Sequence, residues 1–422
     1  MTLPSLEAIA SCVSGYDPHA LPVPQAQEFI ARLVAPVTAV EQVAIRAGLG
    51  RVLARDIVSP IDVPAHDNSA MDGYALRGAE LSAQGDTALR IAGRGLAGDR
   101  FEGNVGAGEA VRITTGAVMP AGLDTVVPQE FTRLEGDRVI VPAGAVKPGD
   151  NRRLAGEDLA RGEVALAAGR RLRPADLGLI ASLGQGEVPV FRRLRVAFFS
   201  TGDELRSVGE PLEAGCVYDS NRYTLWGMLA RLGVEIIDMG VVRDEPSALA
   251  ATFRDAAACA DAVITSGGVS VGEADHTKQI MKQLGDVLFW RIAMRPGRPM
   301  AIGRIGHAIL FGLPGNPVAV MVTFYAFVRD ALLAMGGATP EPLPMLRAAC
   351  TTPIRKKPGR TEYQRGRVQR AGDGWEVSVG GAQGSGILRS MSEANGLVVL
   401  HHAQGSVEAG GLVDVIPFDG LI

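Results

Sequence analysis

Between residues 194 and 337 the chain alternates short, wholly apolar runs with amphipathic segments of helix length. Residues 195–200 (RVAFFS) show no polar–apolar alternation, the pattern of a strand covered on both faces. Similar runs lie at 234–239, 262–265, 287–290 and 307–313. Between the first two, Asn221 is placed to cap a helix running to Leu232, with Leu225, Met228, Leu229 and Leu232 facing inward and Gly233 as the stop. Pro246 opens a second helix to residue 258, a third falls near 278–284, and Asn316-Pro317 opens a long one ending at Gly336-Gly337. Strands and helices in this order predict a doubly wound parallel sheet.

The remainder reads differently. A chain of 422 residues has length for two to four domains at about 100–200 residues each. Residues 24–34 predict a helix burying Ala26, Phe29, Ile30, Leu33 and Val34. From 62 to 150, short runs at 110–114, 124–127 and 138–141 are separated by Gly, Pro and Asp and predict a β-rich unit. A short helix is expected at 174–183. Beyond Pro340-Glu341-Pro342, the segments 345–350, 363–369, 376–379, 397–400 and 412–416 predict a small all-β domain. With 47% hydrophobic and 21% charged residues the chain is not a disordered one, and its net charge of −4 argues against a general nucleic-acid binder. No uninterrupted apolar run approaches the roughly 20 residues of a membrane span, and no signal peptide is visible. Four scattered cysteines without a CxxC pair, and six histidines without HExxH, suggest neither a disulfide framework nor a zinc site. The expectation is a cytoplasmic protein with no membrane and no nucleic-acid partner.

Ligands of open α/β sheets bind beyond the carboxyl ends of the strands. Three loops fall there. Residues 200–205 (STGDEL) place hydroxyls and the acids Asp203 and Glu204 at a strand end; read alone, they serve equally as a helix cap with first-turn acids. Residues 265–275 (TSGGVSVGEAD) hold Ser266, Gly267, Gly268, Ser270 and Gly272, a loop able to aim N–H groups at an anion, with Asp275 for a bridging hard metal and Lys278 one turn on; the alternative is a tight turn. Pro314, Gly315 and Asn316 join a strand to the long helix, as an anion site or as plain stop–start chemistry. Arg291, Arg295 and Arg298 crowd a Pro-Gly turn and suit a tetrahedral oxyanion, or form a solvated basic face. Residues 64–75 are dense in small polar and acidic groups, among them Asp67, Ser69 and Asp72, and too poor in apolar residues for a core element. Thr114-Thr115-Gly116 adds two hydroxyls, and Arg360, Arg365 and Ser385 offer anion donors near the C-terminus.

Eight of these segments occur together in one order: DNSAMDGYA (67–75), RITTGAVMP (112–120), GED (156–158), STGDEL (200–205), TSGGVSVGEADHTK (265–278), RPGRP (295–299), GLPGNP (312–317) and GRTEYQRG (359–366). The set resembles the molybdopterin molybdenumtransferase family, which includes the bacterial MoeA-like proteins and the E domains of gephyrin and of the plant cofactor-synthesis protein. The resemblance implies four parts: an elongated N-terminal domain from residues 1–61 and 156–193, an inserted β-rich domain at 62–155, an α/β molybdopterin-binding domain at 194–338, and a C-terminal β-barrel-like domain at 339–422. It implies a homodimer whose active site lies between the α/β domain of one subunit and the β-rich domain of the other.

It further implies insertion of molybdate into adenylyl-molybdopterin with release of AMP. Asp67, Thr115, Asp158, Glu204 and Asp275 would then be catalytic. Mg(2+) would be held by acids among Glu204, Asp275 and Asp67. Substrate would be bound by Ser69, Asp72, the glycine loop, Lys278, Pro314 to Asn316, and the donors Arg291, Arg295, Arg298, Arg360, Arg365 and Ser385. A molybdopterin adenylyltransferase would hand over the pterin. Two differences stand out: arginines occupy 291, 295 and 298 where many members have lysine, and Ala319 follows the PGNPV segment where a hydroxyl residue is common. Two other readings remain: an adenylyltransferase-like enzyme on the same α/β module, and a non-catalytic molybdopterin-binding scaffold, which would not need the acids.

Overall fold

The computed structural model describes residues 5–269 and 276–420. Arg195–Thr201 is buried from its second residue onward and lies inside a six-stranded sheet. The strand order is Glu235–Val242, Arg195–Thr201, Ala262–Ser266, Ala308–Leu313, Pro299–Ile305, Asp286–Arg291. The first four strands are parallel, as their apolar composition predicted. Pro299–Ile305 runs antiparallel to both its neighbours, so the parallel expectation fails at one edge. Pro299–Ile305 returns to Ala308–Leu313 through Gly306-His307, with Gly306 at φ 59°. A two-residue hairpin reverses the chain where a crossover helix would have kept it parallel. Successive side chains of Arg195–Thr201 enter opposite cores: Val196 and Phe198 pack with Leu225, Ile264 and Phe311, whereas Ala197 and Phe199 pack with Phe253, Val263 and Leu310.

The helices fall near their expected positions, at Ser220–Leu232, Pro246–Cys259 and His276–Leu284. One cap is corrected. Asp219, not Asn221, caps the first of them, its side chain accepting from the Arg222 amide, while Gly233 closes it at φ 75°. The long helix runs as Pro317–Thr323, a π turn at Phe324–Val328, and Arg329–Met335. By length and composition these 19 residues could cross a membrane, contrary to the sequence expectation; two-thirds of the helix is buried inside the fold.

The helices Leu6–Ser11 and Val23–Leu33 pack on the Phe198 face of the sheet. Phe29 meets Trp290 edge to face at 5.0 Å, and the Trp290 indole donates to the Tyr16 hydroxyl. Val40–Ala44 pairs with Glu187–Phe191, and Ile57–Val58 with Val164–Leu166, around a core of Leu53, Leu172, Ile180 and Val190.

A second six-stranded sheet has the order Thr125–Pro128, Gly73–Leu76, Glu109–Ile113, Thr87–Gly95, Arg138–Val141, Arg133–Glu135. The expectation that 64–75 contains no core element is overturned here. Gly73–Leu76 is buried throughout and flanked on both sides. A Cβ on Gly73 would fall 1.9 Å from the Val127 carbonyl, so the close strand approach requires glycine. A third sheet closes into a five-stranded barrel: Thr361–Ala371, Gly374–Ser378, Leu346–Cys350, Leu412–Pro417 and Gly396–Leu400, which returns to pair with the first. Met294–Arg295 pairs with the first two residues of Thr361–Ala371, stitching the arginine-rich turn to the barrel.

Candidate active site

The carboxyl ends of the parallel strands open on a cleft of about 730 Å³ lined by Glu204, Asp219, Asn221, Asp244, Ser266, Gly267, Gly268, Gly315 and Asn316, among others. Its floor is buried: the Ser200 and Ser266 hydroxyls of adjacent strands lie 3.0 Å apart. No helix starts at residues 200–205; a turn leads to the short Leu205–Arg206 strand, which removes the helix-cap reading and leaves Glu204 exposed on the cleft wall. Gly267 and Gly268 have φ of 95° and 65°, and a Cβ on them would lie 2.4 Å from the Thr201 carbonyl and 2.5 Å from the Thr277 hydroxyl. The loop can pass this close to its neighbours only as glycine. Ser270, Gly272 and Asp275 lie outside the described residues.

Asp244 was missed by sequence reasoning. It follows the Glu235–Val242 strand and lines the cleft beside the Asp203-Glu204 turn. Its Oδ1 accepts from the Thr277 and Thr201 hydroxyls, and its amide donates to Asp203 Oδ1. Its signal in the sequence is an acid two residues beyond a strand and two before the helix-opening Pro246. Asn221, read only as a cap, donates its amide to the Gly315 carbonyl at 2.7 Å across the cleft. Lys278 sits on the first turns of His276–Leu284. Pro314 is buried beneath Gly315, beside the Leu313 carbonyl that receives the Gly267 amide.

A second group forms in the β-rich sheet's polar margin. Asp72 accepts from the Thr115 amide at 2.7 Å and the Thr115 hydroxyl at 2.9 Å, which hold its carboxyl below the usual range. Asp67 accepts from the Ala155 amide and pairs with Arg152, and these lower its pKa in that order. Ser69 is buried, its hydroxyl turned back on Met71. Gly156 and Asp158 hang from the carbonyls of Pro64 and Val63, with the Asp158 side chain exposed. The three motifs around 67–75, 112–120 and 156–158 therefore meet, yet among the described residues none of them lines the cleft.

The arginines gather at the seam with the barrel. Arg295 pairs in register with Glu362, whose buried carboxylate Arg360 holds at 2.7 Å. Arg365 is 2% exposed and donates to Ser390 Oγ and to the carbonyls of Ala382 and Gly384. Burial, then the charge of Arg295, pulls its pKa down. It fixes the loop bearing Ser385, whose hydroxyl meets Asn316. Arg291, Arg295 and Arg298 are exposed. Among the described residues no group of three His, Cys, Asp or Glu side chains is arranged to enclose a metal ion.

Three family profiles match in chain order: the MoeA N-terminal region (domain I and II) over residues 21–184, the "Probable molybdopterin binding domain" over 197–334, and the MoeA C-terminal region (domain IV) over 347–418. The molybdopterin molybdenumtransferase of Haemophilus influenzae is 42% identical over 387 residues, covering 91% of this chain and 95% of that protein. That of Nostoc sp. is 38% identical, covering 88% and 87%. The crystal structure of the molybdopterin biosynthesis MoeA protein from Pyrococcus horikoshii OT3 superposes with a TM-score of 0.82 at 29% identity, covering 94% of this chain and all of that one.

Proposed function

The chain belongs to the molybdopterin molybdenumtransferase family and is a transferase of molybdenum cofactor biosynthesis, and from that premise we propose how its residues divide the work. Adenylyl-molybdopterin lies in the cleft with its phosphates over Gly267 and Gly268. What carries this reading is the convergence of Glu204, Asp244, Ser266, the glycine pair and Asn316 on one sheet edge.

The same cleft suits Mg(2+), which needs one or two carboxylates and completes its coordination with substrate oxygens. Glu204 and Asp244 would hold it, both lining the cleft with oxygen donors. The bound ion supplies charge neutralisation at the bridging phosphates. Asp67, also expected as a ligand, has its carboxylate engaged by Arg152 and the Ala155 amide, and serves instead to shape its loop.

Molybdate is collected by Arg295 and Arg298 with Arg291 and Arg360 alongside, while Arg365 positions the Ser385 loop. The two dithiolene thiols replace two oxo groups of molybdate, which leave as water with the thiol protons and two from solvent, and a water cleaves the phosphoanhydride, so that AMP departs and the pterin keeps its own phosphate. No protein nucleophile is required, so catalysis rests on positioning and charge neutralisation. The enzyme works in the cytoplasm as a homodimer, with Asp72, Thr115 and Asp158 of one protomer facing the cleft of the other. Two observations support this: the polar cluster is assembled, and it does not line its own chain's cleft. An adenylyltransferase delivers the pterin.

The test is AMP release from adenylyl-molybdopterin with Mg(2+), with and without molybdate. The expected result is molybdate-dependent release that Glu204→Ala abolishes. Tight pterin binding with no release by the wild type would make the chain a scaffold.

A further inference from the structure

The two glycines of the anion loop each rest on a threonine, and the two threonines share one acceptor. A Cβ on Gly267 would lie 2.4 Å from the Thr201 carbonyl, and one on Gly268 would lie 2.5 Å from the Thr277 hydroxyl and 2.6 Å from its Cβ. Both hydroxyls donate to Asp244 Oδ1, that of Thr277 at 3.1 Å and that of Thr201 at 3.5 Å. The shorter contact is the stronger hydrogen bond. Thr277 is wholly buried at the second residue of His276–Leu284 and is not among the residues lining the cleft. It can act on a bound ligand only through its neighbours. Asp244 itself lines the cleft, and its other carboxylate oxygen is available there. Oδ2 has no hydrogen-bond partner among the described residues and is not closed off from solvent.

We propose that Thr277 is a positioning residue that couples the metal-binding carboxylate to the phosphate loop. This rests on the reading of Asp244 as a magnesium ligand and of Gly267-Gly268 as the phosphate cradle. A threonine hydroxyl has a single proton to donate. Thr277 gives it to Asp244 Oδ1, which fixes the rotation of the carboxylate and leaves Oδ2 as the oxygen open to an ion. The carbon atoms of the same side chain bear on Gly268, so the start of one helix sets the carboxylate against the glycine backbone. Packing alone does not ask for the hydroxyl. A valine has nearly the same shape, and a buried hydroxyl is costly unless it is bonded. Its one donated bond goes to the acid of the cleft. An ion on Asp244 and a phosphate on Gly268 are then held in relation to each other through one side chain. Each should favour the binding of the other, because such coupling is reciprocal.

The test uses the full-length chain and ADP, which joins an adenosine to two phosphates as the adenylylated substrate does. Calorimetry reads the ADP affinity in chelator and in saturating Mg(2+), and the ratio of the two measures the coupling. Mg(2+) should raise the affinity of the wild type about tenfold or more. Thr277→Val deletes the hydroxyl and keeps the shape. It should cut that enhancement to about threefold or less, with the affinity in chelator within about twofold of the wild type. Thr277→Ser keeps the hydroxyl and should retain most of the enhancement. An undiminished enhancement in Thr277→Val overturns the proposal and leaves the proposed function standing. So does an equal loss of affinity with and without Mg(2+), which would make Thr277 a packing support for the glycine loop alone, and so does a serine variant as impaired as the valine one. A wild type that binds ADP with no magnesium enhancement removes the ion from the cleft and the proposal with it. A wild type that does not bind ADP overturns the proposed function as well.

Discussion

The Asn316 side-chain amide donates to the Ser385 hydroxyl at 3.0 Å, joining the first turn of the long helix to a loop of the barrel. Beside it, the Ser385 carbonyl accepts the Val318 amide at 3.0 Å. An N-terminal helix amide that would otherwise be open to an anion is therefore already engaged by protein. Asn316 makes no side-chain cap of its own helix and acts as a bridge. Substituting Asn316 and Ser385 by alanine, singly and together, should reveal a coupling of about 0.5–1.5 kcal/mol in denaturant unfolding. Strict additivity would show that the contact is incidental.

Asp244 faces the cleft with Oδ1 held by two threonine hydroxyls. Asp244→Asn should lower the rate of AMP release about 10- to 100-fold and raise the magnesium concentration needed for half-maximal rate. A rate loss with unaltered magnesium dependence would remove Asp244 from the metal site.

Gly267 tests the glycine loop. Its φ of 95° and the 2.4 Å separation of a would-be Cβ from the Thr201 carbonyl leave no room for a side chain. Gly267→Ala should cost about 1–3 kcal/mol of stability and most of the activity. Gly315→Ala is the comparison, since its Cβ would meet only Gly267 Cα at 3.8 Å. Equal tolerance at both positions would contradict the packing argument.

Asp261 links the sheet to the segment before it. Arg192 grips it with two bonds of 2.7 and 2.8 Å, and the Arg195 amide adds a third. Burial raises its pKa, but these hydrogen bonds outweigh it, and the net direction is down. A carboxyl depressed in the folded state stabilises above its unfolded pKa of about 3.9 and loses that contribution as pH falls through the folded value. Asp261→Asn should therefore lower the thermal midpoint at pH 7, with the difference from wild type shrinking below about pH 4. A difference independent of pH would mean the charge is not what matters.

Arg365 is buried against one hydroxyl and two carbonyls. Arg365→Lys cannot satisfy all three from a single ammonium and should cost about 1–3 kcal/mol, with faster proteolysis of residues 380–386. An intact loop in that variant would return Arg365 to a direct role at the anion.

The alternation of apolar runs and amphipathic helices was enough to place the α/β sheet, because strands buried on both faces are built mostly from apolar side chains, with hydroxyls confined to their carboxyl ends. Glu204, Gly267 and Asn316 were legible for a related reason: ligands gather at strand ends, and strand ends can be counted along a chain. The Gly73–Leu76 strand was not legible, since its stability comes from two neighbours distant in sequence and not from its own composition. Nor was the antiparallel edge, which depends on a two-residue turn. Asp219 and Asn221 show the divide within three residues. Either can cap a helix by local chemistry. Folding gave that task to Asp219 and turned Asn221 across the cleft to Gly315, 94 residues away, because the hydrogen-bond partner that decides between them is brought near only by the assembled sheet.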